Sequence, residues 1–376
     1  MRRMWPWPLE GMGLDRRTVR VGPDLRSWIF RAGVVSLFAW IGLQKVSPPD
    51  HIPWSPAMRE ASAGMVRGLE ATRAFCQENG ISMDPAQDPN RTCLIGPRYT
   101  PLFTSLGQLE AKRTSVQPDV AGLLTYFLQE VGVSAGDTVA VGASGSFPGL
   151  LLATLSAVKV LDAHPVTILS LGASSYGATR VDLHLMDLYR LFRSAGLVEP
   201  PPAAVSFGGD GDVGREFEAG LRERLREEIL SDGIPLLVPE DLESNVSRRL
   251  GIYGSPKAFV NIGGGEANLG TDALVLSLAA GPIDPGGVAS FPPPSRRGVL
   301  FAMMAAGVPA IHLLNLRGLA LAYGLPWDPR DLALPGSTEL VDPGARPNGR
   351  FWSLTLVYLA LLGTLAVPLI GRTQRN

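Results

Sequence analysis

The residues of this chain that could do chemistry lie in four glycine-rich runs, each following a short apolar segment. In Gly142-Ala-Ser-Gly-Ser-Phe-Pro-Gly149, Ser144 and Ser146 stand between a strand-like and a helix-like stretch, where hydrolases expose a nucleophilic hydroxyl. The nucleophile elbow reads G-x-S-x-G, and this run has Ser146 in place of the last glycine. His184, with Asp182 and Asp187 nearby, is the candidate base, so Ser144, Ser146 and His184 form the candidate catalytic set. Both serines could instead cap a helix, hold an anion, or simply serve a turn.

The other runs offer ligand-binding candidates: Ser174 and Ser175 in Gly172-Ala-Ser-Ser-Tyr-Gly177, Asp210 and Asp212 in Gly208-Gly-Asp-Gly-Asp-Val-Gly214, and Asn261, Gly264, Gly265 and Glu266 around Gly263-Gly-Gly-Glu266. Asn261 and Glu266 could orient a substrate amine or carboxylate. Asp210 and Asp212 could hold a hard divalent cation, but a solvated Asx-type turn is the commoner outcome for such a pair. Four His and two Cys show no ligand spacing, so no metal site is expected. Lys112-Arg113-Thr-Ser115 is a basic patch suited to a carboxylate or phosphate, or an ordinary surface loop. None of the runs is a Walker A or a G-x-G-x-x-G, and no cofactor is expected.

Such loops need elements to position them. Apolar strand-type runs at 138–141, 166–171, 203–207, 234–238 and 258–262 alternate with helical patterns at 118–131, 181–192 and 215–230. Continuous apolar strands alternating with helices predict an α/β domain with a doubly wound, mostly parallel sheet, spanning 118–330. Ligands of such sheets bind at the carboxyl ends of the strands, where all four runs fall. Pro56 to Gln77 reads as an amphipathic helix within a helical stalk and loop at 47–117, and Val299 to Tyr323 as two buried helices. Residues 331–350 read as a linker.

Two further segments read as membrane helices. One covers 28–46; the other, 351–370, carries no charge. A cleaved signal peptide is the alternative for the first, although no A-x-A-like site follows it. Six arginines among residues 1–26 and two among 371–376 place the tails 1–27 and 371–376 in the cytoplasm by the positive-inside rule. The expected address is the bacterial inner membrane, crossed twice, with the central domain on its outer face. Setting aside those eight of the 34 basic and three of the 35 acidic side chains leaves 26 against 32, so the middle is mildly acidic and no nucleic-acid partner is expected. Outside the cytoplasm, Cys76 and Cys93 are candidates for a disulfide, with two unpaired thiols as the alternative.

The runs Thr104–Ser115, Ala143–Gly149, Gly172–Ala178, Gly208–Gly214 and Val260–Gly265, in this order and between two apolar ends, resemble the poly-γ-glutamate system protein family. The likeness covers most of residues 55–330 and continues into Gly307–Asn315. It implies a bacterial accessory of polymer synthesis and export, with the poly-γ-glutamate synthase and export membrane proteins, the anionic polymer and the lipid bilayer as partners. It carries over no catalytic residues. Two alternatives stay open: a serine-dependent hydrolase or transferase of γ-glutamyl amide bonds outside the cytoplasm, and a binding module for a small anionic solute. The acidic middle would repel a polycarboxylate at long range, so any recognition of one has to be local.

Overall fold

The computed structural model describes residues 23–46, 50–344 and 349–373. It divides into a unit formed by Met1–Asp50 with Gly344–Asn376 and a second unit, His51–Pro343.

The strands of the second unit are β1 (Phe103–Ser105), β2 (Thr138–Ser144), β3 (His164–Ser170), β4 (Ala173–Ser174), β5 (Ala204–Ser206), β6 (Leu236–Leu237), β7 (Ala258–Ile262), β8 (Gly281–Ile283) and β9 (Ala310–His312). Seven of them make one sheet in the order β6-β5-β3-β2-β7-β9-β8. All its pairings are parallel except β8 with β9. β1 and β4 form a small parallel pair beside it. The chain enters the large sheet at β2, winds outward through β3, β5 and β6, then returns to add β7 on the other side of β2. The crevice at the carboxyl ends of β2 and β7 is therefore the topological switch point of a doubly wound sheet.

Alternation of side chains decides what covers each face. Val139, Val141, Ala143, Leu169, Val205 and Val260 belong to one core, while Ala140, Ile168, Ala204, Phe259 and Ala310 belong to the other. Burial on both faces is why these strands read as unbroken apolar runs, and each large side chain so buried contributes on the order of 2 kcal/mol.

The helices in chain order are α1 (Pro23–Val46), α2 (Pro56–Glu78), α3 (Leu109–Ser115), α4 (Asp119–Glu130), α5 (Pro148–Val160), α6 (Leu185–Ser194), α7 (Ala219–Ser231), α8 (Leu242–Tyr253), α9 (Glu266–Leu269), α10 (Val299–Ala305), α11 (Leu316–Tyr323) and α12 (Gly349–Thr373). α5, which starts directly after the first glycine-rich run, is buried all round because α2 and α4 pack on it from outside the sheet. Its Thr154 and Ser156 hydroxyls satisfy themselves on the carbonyls of Leu150 and Leu152 at 2.8 and 2.9 Å.

Three segments differ from their sequence expectation. Pro56–Glu78 is a helix, but Met58, Met65 and Leu69 bury one side of it against α4 and α5, so it is a layer of the domain and not a stalk. The start of the expected linker is also part of this domain: Asp119 accepts from the backbone N–H groups of Gly336 and Thr338 at 2.7 and 2.8 Å, and Leu340 is buried. Residues 299–323 hold a helix, the interior strand β9 and a second helix, where two helices were expected. Three residues between turns are too few to show a periodicity.

In the first unit, α1 and α12 pack on each other, with the Ser36 and Tyr358 hydroxyls 2.9 Å apart. Both expected membrane segments are thus helical, but among the described residues no helix is long and apolar enough to cross a membrane. Arg26 and Arg31 lower the apolar content of α1. In α12 the side chains of 352–365 are described; those of Phe351 and 366–370, which complete the expected span, lie outside the description. Residues 1–22 and 374–376 of the expected tails lie outside the described residues.

Candidate active site

A cleft of about 600 Å³ opens at the carboxyl ends of the parallel strands. Its floor carries Ser144 at the end of β2, Ser170 at the end of β3, Ser146, Ser174 and Lys112; Gly264, Gly265 and Glu266 follow β7; Asp210 and Glu216 line one flank, Arg317 and Trp327 another. Eight of the thirteen candidate site residues read from the sequence thus meet in one place.

Lys112 is the centre of this arrangement. It lies on α3, which the sequence reading treated as part of a patch or loop, and is only 1% exposed. Its Nζ donates to the Ser146 carbonyl and, at 2.9 Å, to Ser174 Oγ, and it stands 3.6 Å from the centroid of the Phe147 ring. No carboxylate lies within ion-pair distance among the described residues. Burial is therefore not offset by an opposite charge and brings the ammonium from 10.5 down to about 7. Ser174 in turn donates its backbone N–H to Ser146 Oγ at 3.0 Å, which leaves the Ser146 hydroxyl proton free to point into the cleft.

The neighbouring Arg113 faces away from the cleft. Its guanidinium binds the carbonyls of Ala86 and Gln87 at 2.7 and 3.1 Å and the Asp328 carboxylate at 3.0 Å. Thr114 Oγ1 accepts from Asp328 N at 3.0 Å, so α3 is held between two loops with Lys112 on its inner side. The 86–87 end of this clamp belongs to a loop closed by the Cys76–Cys93 disulfide.

The glycines of the runs serve chiefly to pack loop upon loop. A Cβ on Gly145 would lie 2.6 Å from the Leu171 carbonyl, one on Gly172 2.9 Å from Gly209 N, and one on Gly177 2.4 Å from the Gly145 carbonyl. The loops form a single preformed rim instead of a cradle open for a ligand's phosphates. Gly263 has a second reason: its φ is +85°, and a Cβ there would lie 2.2 Å from Ser144 Oγ.

Five of the candidates lie outside the cleft. His184 precedes α6 and is nearly buried, with Nδ1 3.2 Å from Asp187 and Nε2 3.1 Å from Glu228. The His184 bond holds the Glu228 carboxyl down at about 2. His184, Asp187 and Glu228 have ligand-like spacing, but the Arg190 guanidinium binds both carboxylates, so the group is an ion-pair clasp between α6 and α7. The expected base is therefore remote from Ser144 and Ser146.

Asp212 is also withdrawn from solvent. It accepts from Ser206 Oγ at 2.7 Å, Asn245 Nδ2 at 2.9 Å and Arg249 Nη2 at 2.6 Å, beneath the floor serine Ser170. Burial works against the Arg249 charge, but Asp212 and Tyr253 together more than restore it. This pairing replaces the divalent site considered for Asp210 and Asp212. Asn261 is buried and donates to the Gly263 carbonyl at 3.2 Å and His312 Nδ1 at 3.0 Å, supporting the loop from below. Ser175 is buried behind Ser174.

At the rim, burial raises the Glu266 carboxyl; the bond from Gly211 N at 2.9 Å works against that, and Asp210 adds to it. Sequence reasoning missed Ser170, Arg317 and Trp327. The signal for Ser170 was a hydroxyl next to the end of the apolar run 166–171, and that for Arg317 was a charge inside an otherwise apolar stretch. Comparison of the chain with protein-family models, curated proteins and solved structures finds no match.

Proposed function

We propose that the chain is an acyl-transfer enzyme that cuts or transfers an amide or ester, with Ser174 as nucleophile and Lys112 as its base. The observation that carries this is a buried lysine without a carboxylate, poised near neutrality and 2.9 Å from a serine hydroxyl in an open cleft. A neutral amine accepts the Ser174 proton as Oγ attacks the substrate carbonyl. The resulting ammonium returns that proton to the leaving amine or alkoxide. Water, or an acceptor amine, then releases the acyl group from Ser174 by the same proton path. The Ser146 hydroxyl, which accepts from Ser174 N at 3.0 Å, donates its proton to the developing oxyanion, and Ser144 Oγ accepts from Ser146 N at 3.4 Å. A base with a pKa near 7 is half in its active form at neutral pH.

The test is covalent labelling of the full chain with a fluorophosphonate. The adduct is expected on Ser174, with a rate that rises through a half-point near neutrality and is lost in Lys112→Met. No adduct, or one undiminished by Ser174→Ala, overturns the assignment.

The sequence resemblance supplies a setting for this chemistry: an accessory of poly-γ-glutamate synthesis and export at the outer face of a bacterial inner membrane, cutting or transferring the polymer's amide bonds. In that setting the α1–α12 pair contacts the bilayer. In support, the pair turns Phe30, Phe38 and Leu356 outward at 73, 69 and 66% exposure. A single cysteine introduced at the exposed Gly233 turn, in a Cys76 and Cys93 double-substituted background, decides the sidedness. Labelling by an impermeant reagent on intact spheroplasts supports the outer face; protection until permeabilisation refutes it.

A further inference from the structure

We infer that Arg317 is a specificity residue that holds a carboxylate of the substrate, so that the substrate class is an amide or ester whose acyl chain ends in a carboxylate. This rests on the Lys112–Ser174 assignment for the position of the scissile bond, while the anion subsite itself stands on separate observations.

Arg317 lines the same cleft as Lys112 and Ser174, on α11, which packs against α3. Its guanidinium lies over the Trp327 ring, 6.0 Å from the centroid. That ring is fixed in turn: Trp327 packs against the main core, and the next residue, Asp328, is tied to Arg113 and Thr114. Stacking leaves the planar N–H fork of an arginine free along its edge, the geometry that takes a carboxylate by two parallel bonds.

The other charges of the cleft are already engaged. Asp210 pairs with Arg215 at 2.9 Å, Glu216 accepts from Asp210 N at 2.9 Å, and Glu266 accepts from Gly211 N at 2.9 Å. Arg317 has no carboxylate within ion-pair distance among the described residues. Among the described residues Lys112 and Arg317 are the cations of the cleft, and Arg317 is the one that is exposed, since Lys112 is buried and half neutral near pH 7. One exposed guanidinium in a cleft also lined by three carboxylates suits a monoanion; a phosphate dianion would meet more repulsion than attraction.

The test measures binding of succinamate, glutaramate and adipamate, and of their uncharged diamides, to the full chain carrying Ser174→Ala. At least one carboxylate is expected to bind tenfold or more tightly than its diamide, with the best chain length reporting the span from Ser174 to Arg317. Adding Arg317→Gln is expected to reduce that preference to less than twofold, with Arg317→Lys between. Equal affinity for acids and diamides, or a preference that survives Arg317→Gln, overturns the inference. Binding to the Ser174→Ala chain needs no chemistry, so failure of fluorophosphonate labelling and failure of carboxylate preference are read independently.

Discussion

Replacing Lys112 with Met should make the protein more stable and inactive at once, and the size of the gain should depend on pH in a calculable way. Lysine in the unfolded chain titrates at 10.5 and in the fold at about 7, so the folded state resists protonation. The unfolded state then binds more protons between these values, and stability must rise with pH across that window. Below about pH 7 the full cost of about 5 kcal/mol is present; it falls away as pH climbs toward 10.5 and vanishes above it. From about pH 6 to about pH 9 the wild type should gain about 3 kcal/mol from this group. Met fills the same stem volume beside Phe147 but gives up two hydrogen bonds, to the Ser146 carbonyl and Ser174 Oγ, at about 1 kcal/mol each. The net gain for Lys112→Met near neutral pH is therefore about 2 kcal/mol, shrinking to nothing or reversing at about pH 9. Urea unfolding of the full chain at several pH values measures it. If wild type and variant show parallel pH dependence over that range, Lys112 is not a depressed amine and the case for it as a base fails.

Three further perturbations probe the scaffold. Asp212→Ala leaves the fully buried Arg249 charge unpaired and should cost about 3–5 kcal/mol, with Arg249→Met in the same chain restoring much of it; urea midpoints of the two variants compare them. Gly263→Ala meets Ser144 Oγ at 2.2 Å and a φ of +85°, and should cost about 2–4 kcal/mol and slow Ser174 labelling, because the β7 loop must shift; an unchanged midpoint would count against this packing. Opening the Cys76–Cys93 bond with two serines frees a loop with a sequence separation of 17 and should lower stability by about 3 kcal/mol, read as a lower melting temperature without dithiothreitol and no difference from reduced wild type with it.

Much of the architecture was legible because the doubly wound sheet is buried on both faces, and such strands announce themselves as apolar runs. β2, β3 and β7 were found where both neighbours in the sheet are interior strands. The short β5 and β6 were found because they sit inside the longer apolar runs 203–207 and 234–238, whereas β4, β8 and β9 were not read as strands. The site was half legible for a related reason. Strand ends named Ser144, Ser174 and Glu266 correctly as neighbours, since a parallel sheet brings all its carboxyl ends to one side. What one-dimensional reasoning could not supply was burial. Lys112 looked like a surface cation beside Arg113, and Asp212 like a partner of Asp210; the fold buries Lys112 and Asp212 while Arg113 stays half-buried and Asp210 exposed. His184 looked like a base because carboxylates were near it, yet those carboxylates come with Arg190, and the group closes on itself.

The contrast between Arg249 and Lys112 bears most on function. Both are basic side chains almost wholly removed from water beneath the same rim. Arg249 receives Asp212 and two serine hydroxyls, so its charge is kept at little net cost. Lys112 receives a carbonyl, a hydroxyl and a ring but no carboxylate, so no opposite charge offsets its burial. A fold that merely needed a filled position next to Phe147 would be served better by Met or Leu, and one that needed a charge would have supplied a carboxylate, as it does for Arg249. Lysine at this place makes physical sense where a proton has to be taken up and given back near neutral pH, and the hydroxyl positioned to exchange it is that of Ser174.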